Sequence, residues 1–294
     1  MRFSSIITLL CCIGALVLSI LCLLAGNTRT FLPNADVITL NMSRLGHVGD
    51  LLNTIENNDG VLGSLLNGAE SEINEILNDV STDFASILNI SDFYSVHLMD
   101  YCSGEYSPNG TVAAEGGSVS RNVTYCSPKN ALFHFNVTEV IESALPDGLS
   151  LGDIKWPDAV NEAQSAIRTA SIAAVILYIV GIVLTGLAFL FAVFGFFTNG
   201  RLSACCNVLI DLLAFIDLAA GSVLATIIMV KAADEINKYG AEIGIAANRG
   251  NKFLGITWAA VGLMLIAVII SIVQVIKGRR NGGYVSEMRE KNRY

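Results

Sequence analysis

Apolar residues gather in four blocks along the chain. Residues 6–24, 171–200 and 253–276 carry no charge, and residues 202–230 carry only Asp211 and Asp217. About 20 helical residues at 1.5 Å rise cross a hydrocarbon core of about 30 Å. The blocks therefore predict four membrane-spanning helices, at residues 6–26, 170–197, 204–230 and 253–276. Five further segments separate or flank them: an N-terminal segment 1–5, a large first loop 27–169, a turn 198–203, a second loop 231–252 and a tail 277–294. Arg2 before an apolar stretch also suits a signal peptide. However, 19 apolar residues exceed an h-region of about 7–15, and Leu23–Leu24–Ala25–Gly26 is a poor cleavage site. A retained first span is the reading adopted.

Between the first two blocks the pattern changes period. Ile73, Ile76, Leu77, Val80, Phe84, Ile87 and Leu88 recur at helical steps with Glu72, Glu75, Asp79 and Asp83 between them, and Leu45, Val48, Leu51, Leu52 and Ile55 form a shorter run of the same kind. Residues 93–99 alternate, as do residues 132–137 after Cys126, which predicts a small antiparallel sheet with helices beside it. His97 and His134 are expected on that sheet's surface. Two histidines without further ligands define no metal site. After Trp156–Pro157, the spacing of Val160, Ala163 and Ile167 extends the second span outward.

Charge orients the spans. The chain has 294 residues, net charge −8, 15% charged residues and mean hydropathy +0.57. Nineteen acidic and six basic residues fall within 27–169. Arg201 in the short turn and Lys277, Arg279, Arg280, Arg289, Lys291 and Arg293 in the tail mark cytosolic flanks. Both termini are thus expected in the cytosol and the large loop outside it. The N-x-[ST] sequons at Asn41, Asn89, Asn109, Asn122 and Asn136 agree, because all lie in that loop.

In an oxidising compartment two cysteines without competitors join. The loop has Cys102 and Cys126, whereas Cys11, Cys12, Cys22, Cys205 and Cys206 lie within or at the ends of spans. A Cys102–Cys126 bridge closes about 25 residues, worth about 3–4 kcal/mol in chain-entropy terms. It clips a stretch rich in Gly, Ser and Asn, joining the loops of the sheet.

Asp211 and Asp217 stand out in the third span. An ionised carboxylate at a helix centre costs about 2.5–3.5 kcal/mol to insert, so each is expected to face the bundle and find a partner. Six residues place them on different helix faces. Ser271 in the fourth span matches Asp211 in depth. Two readings are open: interhelical hydrogen bonding, or proton or cation passage. Cys205 and Cys206, beside Arg201, are candidate S-palmitoylation sites. No motif for hydrolysis, phosphate binding or zinc catalysis occurs, and no enzyme activity, cofactor, metal or nucleic-acid partner is expected.

Four spans with the large loop between the first two exclude the tetraspanin order and match the claudin-like one. Claudins carry a Trp-rich first-loop signature, whose place is taken here by "YSVHLMDYC". Tyr94, Val96, Leu98, Tyr101, Cys102 and Gly104 form a stretch that resembles the first-loop signature of the fungal Sur-seven/PalI family. The resemblance implies a mainly α, claudin-like four-helix transmembrane bundle with a large extracellular loop. It also implies a multi-pass plasma-membrane protein of static cortical domains (eisosomes), tied to membrane organisation, endocytosis and cell-wall integrity. Membrane lipids, like family members or itself, and other cortical membrane proteins are the partners implied. The PalI branch implies ambient-pH signalling instead, but the short tail and long first loop favour the Sur-seven-like branch. A small transport or channel-accessory role using Asp217 is the other alternative.

Overall fold

The computed structural model describes residues 2–43, 91–108, 119–131, 133, 135, 136, 158–197, 201–240 and 245–291. The expected helices of residues 45–88 lie outside this set. Four helices are long and apolar enough to cross a membrane among the described residues. They are α1 (Arg2–Leu24), α2 (Asp158–Phe197), α3 (Arg201–Gly240) and α4 (Asn251–Lys291). No proline interrupts them, since all five lie between residues 27 and 169. Gly26, with φ of 77°, supplies the left-handed turn that ends α1.

The described chain divides into two compact units. One comprises residues 1–24, 173–226 and 251–294. Its core takes Cys11, Cys12 and Ala15 from α1, Ala188 from α2, Ala214 and Leu218 from α3, and Val261, Met264 and Ala267 from α4. Small side chains dominate, which lets helix backbones approach where no water exists to drive burial. A Cβ at Gly14 would stand 2.8 Å from Leu263 Cδ1, and one at Gly181 would stand 2.6 Å from Leu218 Cδ2. Large apolar residues point outward from every helix, among them Leu10, Val183, Ile216 and Ile269. Such faces suit lipid rather than water.

The other unit comprises residues 25–172 and 227–250. Its described part is built on an antiparallel sheet of β1 (Ile38–Asn41), β2 (Phe93–Val96), β3 (Tyr101–Ser107), β4 (Ser120–Cys126) and β5 (Ala246–Arg249). The strand order is β4-β3-β2-β1-β5. β1 sits between β2 and β5, with Leu40 opposite Tyr94 on one side and Ala247 on the other. One face carries Ile38, Leu40, Val96 and Ala247 onto Ala232, Ala233 and Ile236 of α3 and Ile167 of α2. The outer edge of β5 is closed by a side chain. Asn237 accepts from the Ala247 N–H at 2.7 Å and donates to its carbonyl at 3.0 Å, as a neighbouring strand would.

Two details differ from the sequence reading. The segment expected as a second strand, residues 132–137, has no strand at its described positions 133, 135 and 136. Phe133 and Phe135 instead pack on Tyr101, at 6.2 and 5.5 Å between ring centroids. The stretch expected as a clipped loop instead supplies β3 and β4 at its flanks, and the disulfide joins these neighbouring strands directly.

Candidate functional site

The family-like stretch builds the β2–β3 hairpin. His97 N–H donates to the Asp100 carbonyl at 2.9 Å to close it, and Leu98 is buried at its tip. Tyr94 and Val96 lie on the apolar face, where the Tyr94 ring meets Tyr101 and Phe135. Cys102, fully buried, lies opposite Ser95 on the other face and is bonded to Cys126 of β4. Gly104 sits at an irregularity in the β3–β4 register, where a Cβ would lie 2.0 Å from the Asn122 carbonyl oxygen. Each described position of the motif therefore has a structural task.

The disulfide face also carries a charged clamp. Arg121 of β4 reaches over the Phe93 ring, with Cζ 5.9 Å from its centroid. It donates to Asp36 Oδ1 at 3.3 Å and to Thr39 Oγ1 at 2.8 Å. Thr39 in turn donates to Asp36 Oδ2. One guanidinium thus ties β4 to the start of β1, over the two strands between them. Tyr106 lies beside it, 5.1 Å from Phe93. Burial raises the phenol above its usual pKa, and the positive charge of Arg121 opposes that shift.

His97 is not on the sheet surface. It is buried beside buried Asp100, with Nδ1 3.2 Å from Oδ1, and Lys129 Nζ lies 3.7 Å from Oδ2. Gly26 closes over this cluster: a Cβ there would stand 2.4 Å from both His97 Nδ1 and Asp100 Oδ1. Burial lowers the Lys129 pKa, and Asp100 works against that shift. Ligand atoms of His97, Asp100 and Cys102 lie within 4.8 Å of one another. Because the Cys102 sulfur is committed to Cys126, two donors remain, and the lysine ammonium already serves the carboxylate.

Two buried polar clasps lie among the described residues of the helical unit. In the first, Tyr178 of α2 hydrogen-bonds Thr257 of α4, which also pairs with Ser222 of α3 at 2.7 Å. The second surrounds Asp211, which is fully buried. Ser271 Oγ donates to its Oδ2 at 2.6 Å, and Asn207 Nδ2 lies 3.2 Å from both that oxygen and Ser271 Oγ. Cys12 Sγ stands 4.0 Å from Oδ1. Asp217 differs: it is only half-buried, lies near Gly181, and its Oδ2 has no hydrogen-bond partner among the described residues. The expectation of a partner thus holds for Asp211 and fails for that oxygen of Asp217.

Other sequence candidates stand apart from these clusters. Cys205 is exposed and Cys206 half-buried. Asn122 is exposed, while Asn41 and Asn136 are half-buried; Asn89 and Asn109 lie outside the described residues. Sequence reasoning missed Asp36, Arg121, Asn207 and the Tyr178 clasp. The i,i+4 spacing of Asn207 and Asp211, two polar residues on one face of an apolar helix, is a signal that marks the second clasp.

A four-span helical membrane protein with a disulfide-pinned antiparallel sheet is thereby defined. The SUR7/PalI family profile matches residues 4–270, and the chain belongs to that family. It is 25% identical over 191 residues to the SUR7 family protein pun1 of Schizosaccharomyces pombe, covering 62% of this chain and 62% of that protein. The chain thus spans less than two thirds of the length of that curated relative. No solved structure matches it.

Proposed function

We propose that this chain is a non-enzymatic organiser of static cortical plasma-membrane domains, of the eisosome type that the family resemblance implies. It links membrane organisation to endocytosis and cell-wall integrity. The termini face the cytosol, and the sheet faces outward as a rigid platform beside the wall. Its partners are membrane lipids, further copies or family members, and other cortical membrane proteins. The observation that supports this reading is where the family-like residues go. Tyr94, Val96, Leu98, Tyr101, Cys102 and Gly104 pack, cross-link and permit close strand approach. These are tasks of a scaffold rather than of a reaction centre. Imaging the chain tagged after Tyr294 tests it. Punctate cortical patches that disperse with Cys102→Ser are expected, and an even or endosomal distribution of the wild-type chain would contradict it.

A second reading, ambient-pH sensing or a transport-accessory role through Asp217, draws on the Oδ2 of that residue, which has no hydrogen-bond partner among the described residues. It requires Asp217→Asn to abolish a pH response or flux at normal expression. The organiser reading requires the same variant to localise and cluster as the wild type does.

A further inference from the structure

The two outer edges of the sheet are finished differently. Asn237 closes the β5 edge, whereas β4, at the other end of the strand order, pairs only with β3 among the described residues. β4 carries the sequon Asn122–Val123–Thr124. Asn41, Asn122 and Asn136 are the described sequon asparagines, and of these Asn122 alone is exposed. Asn41 lies in β1, between β2 and β5, and its Oδ1 accepts from the Ser43 N–H at 2.9 Å and from Ser43 Oγ at 2.6 Å. A glycan there would have to leave an interior strand. Asn122 stands instead on an exposed edge, where a bulky solubilising group also deters strand pairing with other chains.

The register of β4 supplies a second observation. Asn122 lies opposite Glu105 and Tyr125 opposite Ser103, so the pairing skips Thr124. Simple alternation would put residues three apart on opposite faces. The skipped residue brings Asn122 and Tyr125 to the same face. The Tyr125 ring meets Tyr101 on that face, with centroids 6.1 Å apart, yet Tyr125 remains 47% exposed. An open aromatic surface therefore lies one step along the face from the asparagine. The negative face of such a ring attracts the polarised C–H groups on the flat side of a sugar.

We propose that Asn122 carries an N-linked glycan whose first N-acetylglucosamine packs on the Tyr125 ring. The assignment rests on the outward placement of the sheet proposed above. In the transfer, the Asn122 amide nitrogen bonds to the anomeric carbon of an oligosaccharide carried on a lipid pyrophosphate. The carbon–oxygen bond to the pyrophosphate breaks, the lipid pyrophosphate leaves, and the nitrogen gives up one proton.

The test uses the full chain, expressed in yeast and purified from its membranes. Peptide mapping after N-glycosidase release in heavy-oxygen water marks each glycosylated asparagine as a labelled aspartate. Asn122 should be marked and Asn41 should not, and Asn122→Gln should remove one glycosidase-sensitive step in gel mobility. Trimming with an endoglycosidase then leaves only the first N-acetylglucosamine at each site. The trimmed wild type should unfold about 2 °C higher than trimmed Asn122→Gln, and the same comparison made in a Tyr125→Ala background should show no difference. An unmarked Asn122 in a chain whose Cys102–Cys126 bridge is intact would overturn the proposal and leave the outward sheet standing. An unmarked Asn122 with both cysteines as free thiols would overturn the two together. A stability gain that persists in the Tyr125→Ala background would overturn the packing on the ring.

Discussion

Gly104 and the Asn122 carbonyl oxygen are so close that a Cβ on residue 104 would stand 2.0 Å from that oxygen. The obstacle is backbone, and the disulfide two residues away holds both strands in place. Neither strand can step aside cheaply. Gly104→Ala should therefore destabilise the sheet by about 2–3 kcal/mol, at the upper end of overpacking costs. Thermal unfolding of the purified protein measures it; a change below about 0.5 kcal/mol, the range of an ordinary surface substitution, would show that the strands separate freely.

Arg121 should be the most sensitive polar residue of the sheet unit. Its removal strips Asp36, which is buried, of an ionic hydrogen bond and uncovers Phe93. Arg121→Ala should cost about 2–3 kcal/mol, the range for losing hydrogen bonds to a charged group. Arg121→Lys should recover only part of that, because an ammonium cannot reproduce the guanidinium fork. Equal stability of the Ala and Lys variants would show that charge placement contributes nothing.

The sheet unit should also show two opposed pH effects at alkaline pH. Lys129 has a folded pKa below its ordinary 10.5, because burial opposes the charge. Between those two values the unfolded chain holds more protons, so stability rises with pH. Tyr106 has a folded pKa above its ordinary 10.0, again through burial. Above pH 10 the unfolded chain ionises first, so stability falls. Tyr106→Phe should remove the fall and Lys129→Met the rise in denaturation series between pH 8 and 11. Identical slopes in all three proteins would contradict the assigned burial of both groups.

The Tyr178 clasp joins three helices through a single hydroxyl chain. Tyr178→Phe keeps the ring against Phe253 and removes only that link. A loss of about 0.6–1.7 kcal/mol is expected, as for interhelical hydrogen bonds in bilayers. Steric trapping or thermal unfolding in nanodiscs reads it, and a gain in stability would mean that the polar chain is strained rather than favourable.

Much of the helical unit was legible because membrane spans announce themselves by long uncharged runs, as at residues 171–200 and 253–276. The Cys102–Cys126 pair and the pairing of Asp211 with Ser271 were also readable, the first by elimination and the second by depth along the helices. The sheet was harder. β1 and β5 are four-residue strands whose pairing joins positions about 200 residues apart, and Ala246–Arg249 has little β propensity to reveal it. β4 was hidden because its first residues, Ser120, Arg121 and Asn122, are all exposed, so no buried face imposes an alternating pattern. Phe133 and Phe135 gave a false strand signal, since their spacing serves an aromatic cluster around Tyr101. His97 was placed on the surface by sequence, but Gly26 and Asp100 enclose it in a way that only tertiary structure reveals.

An organiser of static membrane domains must itself be laterally immobile. The most direct measurement is fluorescence recovery after photobleaching of the full chain tagged after Tyr294, in cells expressing it at native level. Cortical patches that remain dark for minutes after bleaching are the predicted result, with faster recovery when Cys102→Ser unpins the sheet. Rapid and complete recovery of the wild-type signal would contradict the organiser role and leave Asp217 as the next residue to test.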